Sequence, residues 1–263
     1  MFGFSVAMAA QTASFREPSA HLYQKSLPLP PLSALAGIAG AAAGLEFSMA
    51  WKLLKERRAM FGVCGQSRGM GIDLWSYDKI ALPKSLEEKN AVKMLDMKKA
   101  FRKDILNREF LAEASFTIYY AFEEEQYAAE LRSAFCSPAY ALSLGSSDDI
   151  AKISDVSPIC DVRCEETTML SNTYIKGDYA QEIGFDWEAV KKSSVSQTLE
   201  APQVCQMITD FAFAGDERRP SRYGQFTIIF RNHLLRRPVS TCLFGDGERV
   251  QLHCLKEFCR DKS

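Results

Sequence analysis

His21, Tyr23 and Lys25 place a base, an acid and a cation within five residues. Metal-free cleavage of RNA uses such groups to deprotonate a 2′-hydroxyl, protonate the leaving 5′-oxygen and stabilise the phosphorane. In an extended segment their i, i+2, i+4 spacing puts all three on one face. They lie, however, in a polar connector ahead of Pro28 where nothing evident in the sequence holds them rigid, and catalysis loses heavily to looseness. The same residues suit plain RNA binding, through stacking on Tyr23 and a phosphate contact from Lys25. The expectation is therefore binding without chemistry, with a metal-independent endoribonuclease as the alternative.

Other residues fit the same picture. Gln11, Ser14, Phe15 and Arg16 offer hydrogen bonding, a stacking ring and a guanidinium within six residues, although Phe15 could equally belong to the core and Arg16 to a surface ion pair. Ser33 falls near the start of a helix, where free N–H groups favour a phosphate and where a simple cap is also common. Arg108 could reach the same place or pair with Glu109 or Asp104. Lys89, Lys93, Lys99, Arg102 and Lys103 recur at spacings that can share one side of a helix, which suits either a nucleic-acid backbone or a solvated face.

Two further patterns point elsewhere. Gly65-Gln66-Ser67-Arg68-Gly69 matches a hydrolase nucleophile elbow, but Gly69-Met70-Gly71 is a poor start for the helix an elbow needs, so Arg68 fits better in a basic Gly-rich loop near RNA. Cys160 and Cys164 with His253, Cys254 and Cys259 form a zinc set only by joining distant segments, and buried structural thiols explain them more simply. No P-loop, dinucleotide fingerprint or HExxH motif is present, so neither cofactor nor metal is expected.

The chain has 263 residues, 47% of them hydrophobic, and a formal net charge of -1. That excludes a uniformly basic protein, yet the charge is segregated. Residues 51–110 hold 14 Lys and Arg against 8 Asp and Glu, whereas residues 111–190 hold 4 against 15. Residues 216–263 are basic again, with 10 against 6. Such segregation suits a basic face turned to a polyanion. Phe2 to Ala10 is apolar but lacks a basic leader, and its alternation predicts a strand rather than a signal peptide. The Ala/Gly-rich run from Leu32 to Leu45 is too short to cross a bilayer. No membrane is expected, and the cysteines, scattered along a large chain, suit a cytoplasmic protein.

The elements that would hold these residues follow from periodicity. After the first strand, Pro30-Pro31 opens a helix with an apolar stripe of Leu32, Leu35, Ile38, Ala39 and Ala42. A Gly-rich stretch precedes strand-like Ile72, Leu74 and Ile80, and Ser85-Leu86-Glu87-Glu88 opens a basic helical segment to about Arg102. Phe116 to Phe122 is the clearest strand, Glu123 to Glu125 starts a helix carrying Leu131 and Phe135, and Tyr140, Leu142 and Leu144 alternate into a last strand. The order strand, helix, strand, strand, helix, strand is ferredoxin-like. The expected architecture is α+β: a ferredoxin-like domain over residues 1–160 with a projecting insertion over about 62–108, then a smaller β-rich unit over 161–263.

Several blocks, in this order, carry a family likeness: Ser14-Phe15-Arg16-x-Pro18, Pro30-Pro31-x-Ser33-Ala34-Leu35-x-Gly37-Ile38-x-Gly40, Arg108-Glu109-Phe110-Leu111 and Pro138-x-Tyr140-x-Leu142-x-Leu144-Gly145, followed by Asp148 to Ile153. Over about residues 4 to 156 the chain resembles the Cas-five family of CRISPR-associated RAMP proteins. The resemblance implies an RRM-related fold with a thumb, set in a type I Cascade complex for antiviral defence. It implies binding of the guide RNA 5′ handle, capping of the Cas-seven backbone filament, contact with the large subunit, and target DNA near the thumb. On that basis the RNA-binding set is Gln11, Ser14, Phe15, Arg16, Tyr23, Lys25, Ser33, Arg68, Lys99, Arg102, Lys103 and Arg108. The nuclease alternative uses His21, Tyr23 and Lys25, as in type I-C systems that lack a separate processing enzyme.

Overall fold

The computed structural model describes residues 1–20, 23–80, 101–192, 199–215 and 217–256. His21, Lys99 and most of the basic helical segment lie outside them.

Alternation over the first residues produces β1 (Phe2–Ala13), whose Phe4, Val6 and Met8 are fully buried under helices. The Pro30-Pro31 signal is followed by α1 (Leu32–Ala42), and every residue of its expected stripe is buried. A second helix, α2 (Phe47–Glu56), was not foreseen; it crosses α1 so closely that a Cβ on Gly40 would lie 2.6 Å from the Ala50 methyl. Next come β2 (Met60–Gln66), β3 (Gly69–Ile80), β4 (Phe101–Phe122), α3 (Glu125–Cys136) and β5 (Ala151–Val156). The main sheet runs β2-β4-β1-β5, with antiparallel pairing throughout.

Three sequence expectations need correction. The Gly-rich stretch is no loop: β2 and β3 follow one another there along the same edge of β4, so the second core strand is Met60–Gln66 and the Ile72-Leu74 strand belongs to the projection. The basic segment is strand, not helix, from Phe101 onward. There β4 is 22 residues long, and its outer half pairs with β3 from Gly69↔Ala112 to Ile80↔Phe101 as a two-stranded ribbon. Finally, Tyr140 to Leu144 forms no ladder. Leu142 and Leu144 are buried as anchors, but the chain turns at Gly145 (φ 110°), and β5 begins later.

Beyond residue 160 the described residues are mostly strand. β6 (Cys160–Asp161) pairs with β1, and β7 (Arg163–Thr167), β13 (Val239–Leu243) and β14 (Arg249–Val250) make one small sheet. β8 (Thr173–Lys176), β10 (Gln203–Ala214) and β11 (Glu217–Ile229) make another. β9 (Ile183–Phe185) pairs with β12 (His233–Leu235), α4 (Trp187–Lys192) lies between β9 and β10, and β15 (His253–Cys254) adds to β2. Tyr174, Met207, Phe226 and Ile228 join the same apolar cluster as Phe4, Leu35 and Phe116. No described helix is long and apolar enough to cross a membrane.

Candidate nucleic-acid interface

The connector after β1 is held in place along its length. Arg16 and Ser26 form an antiparallel bridge, Leu27 N–H donates to the Phe15 carbonyl at 2.7 Å, and Glu17 N–H donates to the Lys25 carbonyl at 2.9 Å. Gln24 then runs parallel to the exposed edge of β4 at Arg108, and Ser26 N–H donates to the Glu109 carboxylate at 3.0 Å. In extended backbone neighbouring side chains point to opposite sides, so Phe15 enters the core edge-on to Phe116 while Arg16 faces solvent. The stacking role considered for Phe15 is thereby corrected: its ring is 2% exposed and available to no ligand.

Ser14 is set by a close approach. Its N–H donates to the Leu144 carbonyl at 3.0 Å, its hydroxyl donates to Asp149 at 2.6 Å, and a Cβ on Gly145 would lie 1.7 Å from its carbonyl oxygen. Asp149, 4% exposed, also accepts from Thr12 and from the Ser146 N–H. It braces the start of the connector against the turn at Gly145.

These elements enclose an open groove of about 770 Å³. Ser14, Phe15, Arg16, Lys25, Ser33 and Arg108 all border it, so six expected residues from four separate segments converge, although Phe15 is only 2% exposed. Ser33 lies in the first turn of α1, where amide N–H groups lack helical partners and favour an anion. Arg16 and Lys25 are exposed and make no ion pair among the described residues. Arg108 stacks over Trp75 with 5.2 Å from guanidinium to ring centroid and meets Asp73 at 3.5 Å. Its buried Nε–H has no acceptor among the described residues, a donor that a phosphate oxygen would satisfy. Tyr23 lies beside this edge, where desolvation, a hydrogen bond to Glu109 and the charge of Glu109 raise its phenol pKa and keep it neutral.

The far wall carries residues the sequence reading missed. Arg218 on β11 stacks over Phe47 at 4.3 Å and Phe211 at 5.4 Å. Such contacts contribute about 0.5–1 kcal/mol and leave the guanidinium edge free to bind. That wall is tied to α2 through Asp210, which accepts from Lys55 at 2.8 Å and from the Trp51 indole at 3.2 Å. Burial opposes the Asp210 charge, but the bonds from Lys55, Trp51 and the Phe211 N–H outweigh it and lower its pKa. The basic run Arg218-Arg219 after an acidic stretch was the available signal; only the fold brings it opposite Arg108.

The remaining candidates are elsewhere. Gln11 is exposed on β1 and does not border the groove. Arg68 borders a separate groove and pairs with Glu113 at 3.0 Å. Lys103 is exposed on the ribbon, Arg102 sits in the same strand, and His21 and Lys99 fall outside the described residues. The elbow-like serine lies in the short break between β2 and β3, with strand on both sides in place of the helix an elbow needs, which removes the serine hydrolase reading. Cys160 and Cys164 occupy β6 and β7, with Cys164 Sγ 3.7 Å from Cys242 Sγ, while His253 stacks in the core on Tyr174.

Fold and groove define an α-and-β protein with a basic, aromatic-walled cleft beside a projecting ribbon. The family model for CRISPR-associated protein (Cas_Cas5) matches residues 6–219, and the chain belongs to that family. A CRISPR protein from Archaeoglobus fulgidus shares the fold, with a TM-score of 0.51 at 13% identity over 97% of this chain and 100% of its own. A chain of a solved CRISPR RNA-guided surveillance complex is 20% identical over 90% of this chain and 91% of its own, with a TM-score of 0.49. No curated protein sequence matches.

Proposed function

We propose that the chain is a non-catalytic subunit of a type I Cascade complex that holds the 5′ handle of the guide RNA in the groove between α1, the connector and β11. One observation carries this: Arg16, Lys25, Arg108 and Arg218 converge on a single groove that also receives the first turn of α1. Phosphate contacts from such groups supply affinity for a single strand, and aromatic rings beside them supply stacking surface. The family supports a CRISPR role. The strand order β2-β4-β1-β5, with a helix after β1 and another after β4, supports a ferredoxin-like core over residues 1–160. In this reading the β3–β4 ribbon is the thumb, passing beside target DNA, and other faces meet the Cas-seven backbone and the large subunit.

Arg16→Ala and Arg108→Ala should each weaken RNA binding by the assembled complex and make its logarithmic salt slope shallower by about 0.7 for every phosphate no longer neutralised. Unchanged affinity and slope in both variants would place the grip elsewhere. Cleavage is tested separately: the purified chain incubated with repeat RNA in EDTA should leave it intact. A site-specific cut that disappears in His21→Ala would replace the binding reading with the nuclease.

A further inference from the structure

Across the connector, where Pro28 and Leu29 follow the segment that borders the first groove, lies a second groove of about 500 Å³. Its chemistry is different. Besides Arg68, which pairs with Glu113, and exposed Arg231, it is lined by four carboxamides, Gln66, Asn172, Gln203 and Asn232, with Phe230 in the wall.

The walls are built rather than incidental. Asn172 and Asn232 both hold left-handed backbone, with φ of 50° and 68°. The Asn172 carbonyl accepts from the Gly65 N–H at 2.9 Å, and the neighbouring Thr173 hydroxyl donates to the Val63 carbonyl at 2.7 Å. On the other side His233, 5% exposed, is a brace: its Nδ1 accepts from the Phe230 N–H at 3.1 Å. That leaves its Nε2–H to donate to the Glu200 carbonyl at 2.8 Å. Two separate turns and the start of β10 are thus locked around the same space.

Within it the Asn172 side-chain N–H donates to the Gln66 side-chain carbonyl at 3.2 Å. That bond fixes both amides and leaves a Gln66 N–H donor and the Asn172 carbonyl acceptor without further partners among the described residues. A fixed donor beside a fixed acceptor is what the edge of a nucleobase offers in return, and carboxamides read bases in this way.

We propose that the second groove reads one nucleobase of the single-stranded RNA whose phosphates the first groove holds; this rests on the RNA-binding reading above. Affinity then resides in the cationic groove and base identity in the carboxamide groove.

The test uses the full chain with labelled homopolymeric RNAs of about ten nucleotides, oligo(A), oligo(C) and oligo(U), at one salt concentration and then across a salt series. Wild-type protein should rank them with about tenfold between best and worst. The double variant Gln66→Ala/Gln203→Ala should bring the three within about twofold while keeping the wild-type salt slope and thermal midpoint. Gln66→Glu retains the shape and removes the donor, so it should change the ranking even if the double variant folds poorly. Equal binding of all three RNAs by wild type, or an unchanged ranking in both variants, overturns the base-reading groove and leaves the cationic groove standing. Failure of wild type to bind any of the three overturns both readings.

Discussion

Arg16 faces the groove because Phe15 does not: a two-residue alternation fixed by the bridge to Ser26 sends one side chain into the core and its neighbour outward. The motif was therefore legible as a block, but which member meets a ligand was settled by pairing with a segment ten residues away. Arg218 shows the opposite case. The basic pair Arg218-Arg219 marks a charge but not its destination, and its place across from Arg108 depends on β10 being tied to α2 by Asp210, Lys55 and Trp51. His253 is a third kind of residue, polar by type and structural by position. Burial against Tyr174 and Phe226 pushes its pKa down to about 3, and the nearby Lys176 charge adds to this while a backbone bond at Tyr174 opposes it. The unfolded chain binds a proton here near pH 6.5 and the folded chain does not until about pH 3. Stability from this residue is thus complete above pH 6.5 and falls with decreasing pH, by up to about 1.4 kcal/mol per unit. The apparent stability of His253→Phe, measured by denaturant melts between pH 7 and pH 4, should lose that part of the slope; an identical slope would mean that His253 titrates alike in the folded and unfolded chain.

At the scale of elements, β1, α1 and α3 were readable because their apolar periods match their burial, as with Phe4, Val6 and Met8 in β1 and Leu32, Leu35 and Ile38 in α1. The errors fell where local signals conflict with pairing. Glycines at 62, 65, 69 and 71 suggested a loop, yet two strands form end to end because β4 supplies a continuous partner for both β2 and β3. Gly62, for one, faces Val250 and Leu252, where a Cβ would come within 2.9 Å of a Val250 methyl. The ribbon itself exposes Ile72, Leu74 and Ile105, each more than 60% accessible, and so contributes little to the core. Substitutions at exposed ribbon positions such as Lys103→Ala should accordingly shift stability by no more than about 0.5 kcal/mol. In the assembled complex, Lys103→Ala with Arg102→Ala should weaken target binding while the isolated chain melts as wild type. An equal loss of thermal stability and of binding would mark this part of the ribbon as structural.

For the whole molecule, a net charge of -1 conceals an organised surface. Segments far apart in sequence, Arg16 and Lys25 near the start, Arg108 in β4 and Arg218 in β11, deliver their cations to one groove. Segregation was visible as basic stretches over 51–110 and 216–263, but their meeting place was not, because it depends on the C-terminal strands sharing the core of the N-terminal sheet. The family match places the chain among CRISPR-associated proteins, and the groove says where a strand would lie. The most direct test is a structure of the assembled complex with guide RNA. The account predicts the 5′ end of the guide between α1 and β11, its phosphates within hydrogen-bonding distance of Arg16, Lys25, Arg108 and Arg218. A guide whose 5′ end is held by another surface or subunit, with this groove free of nucleic acid, would contradict it.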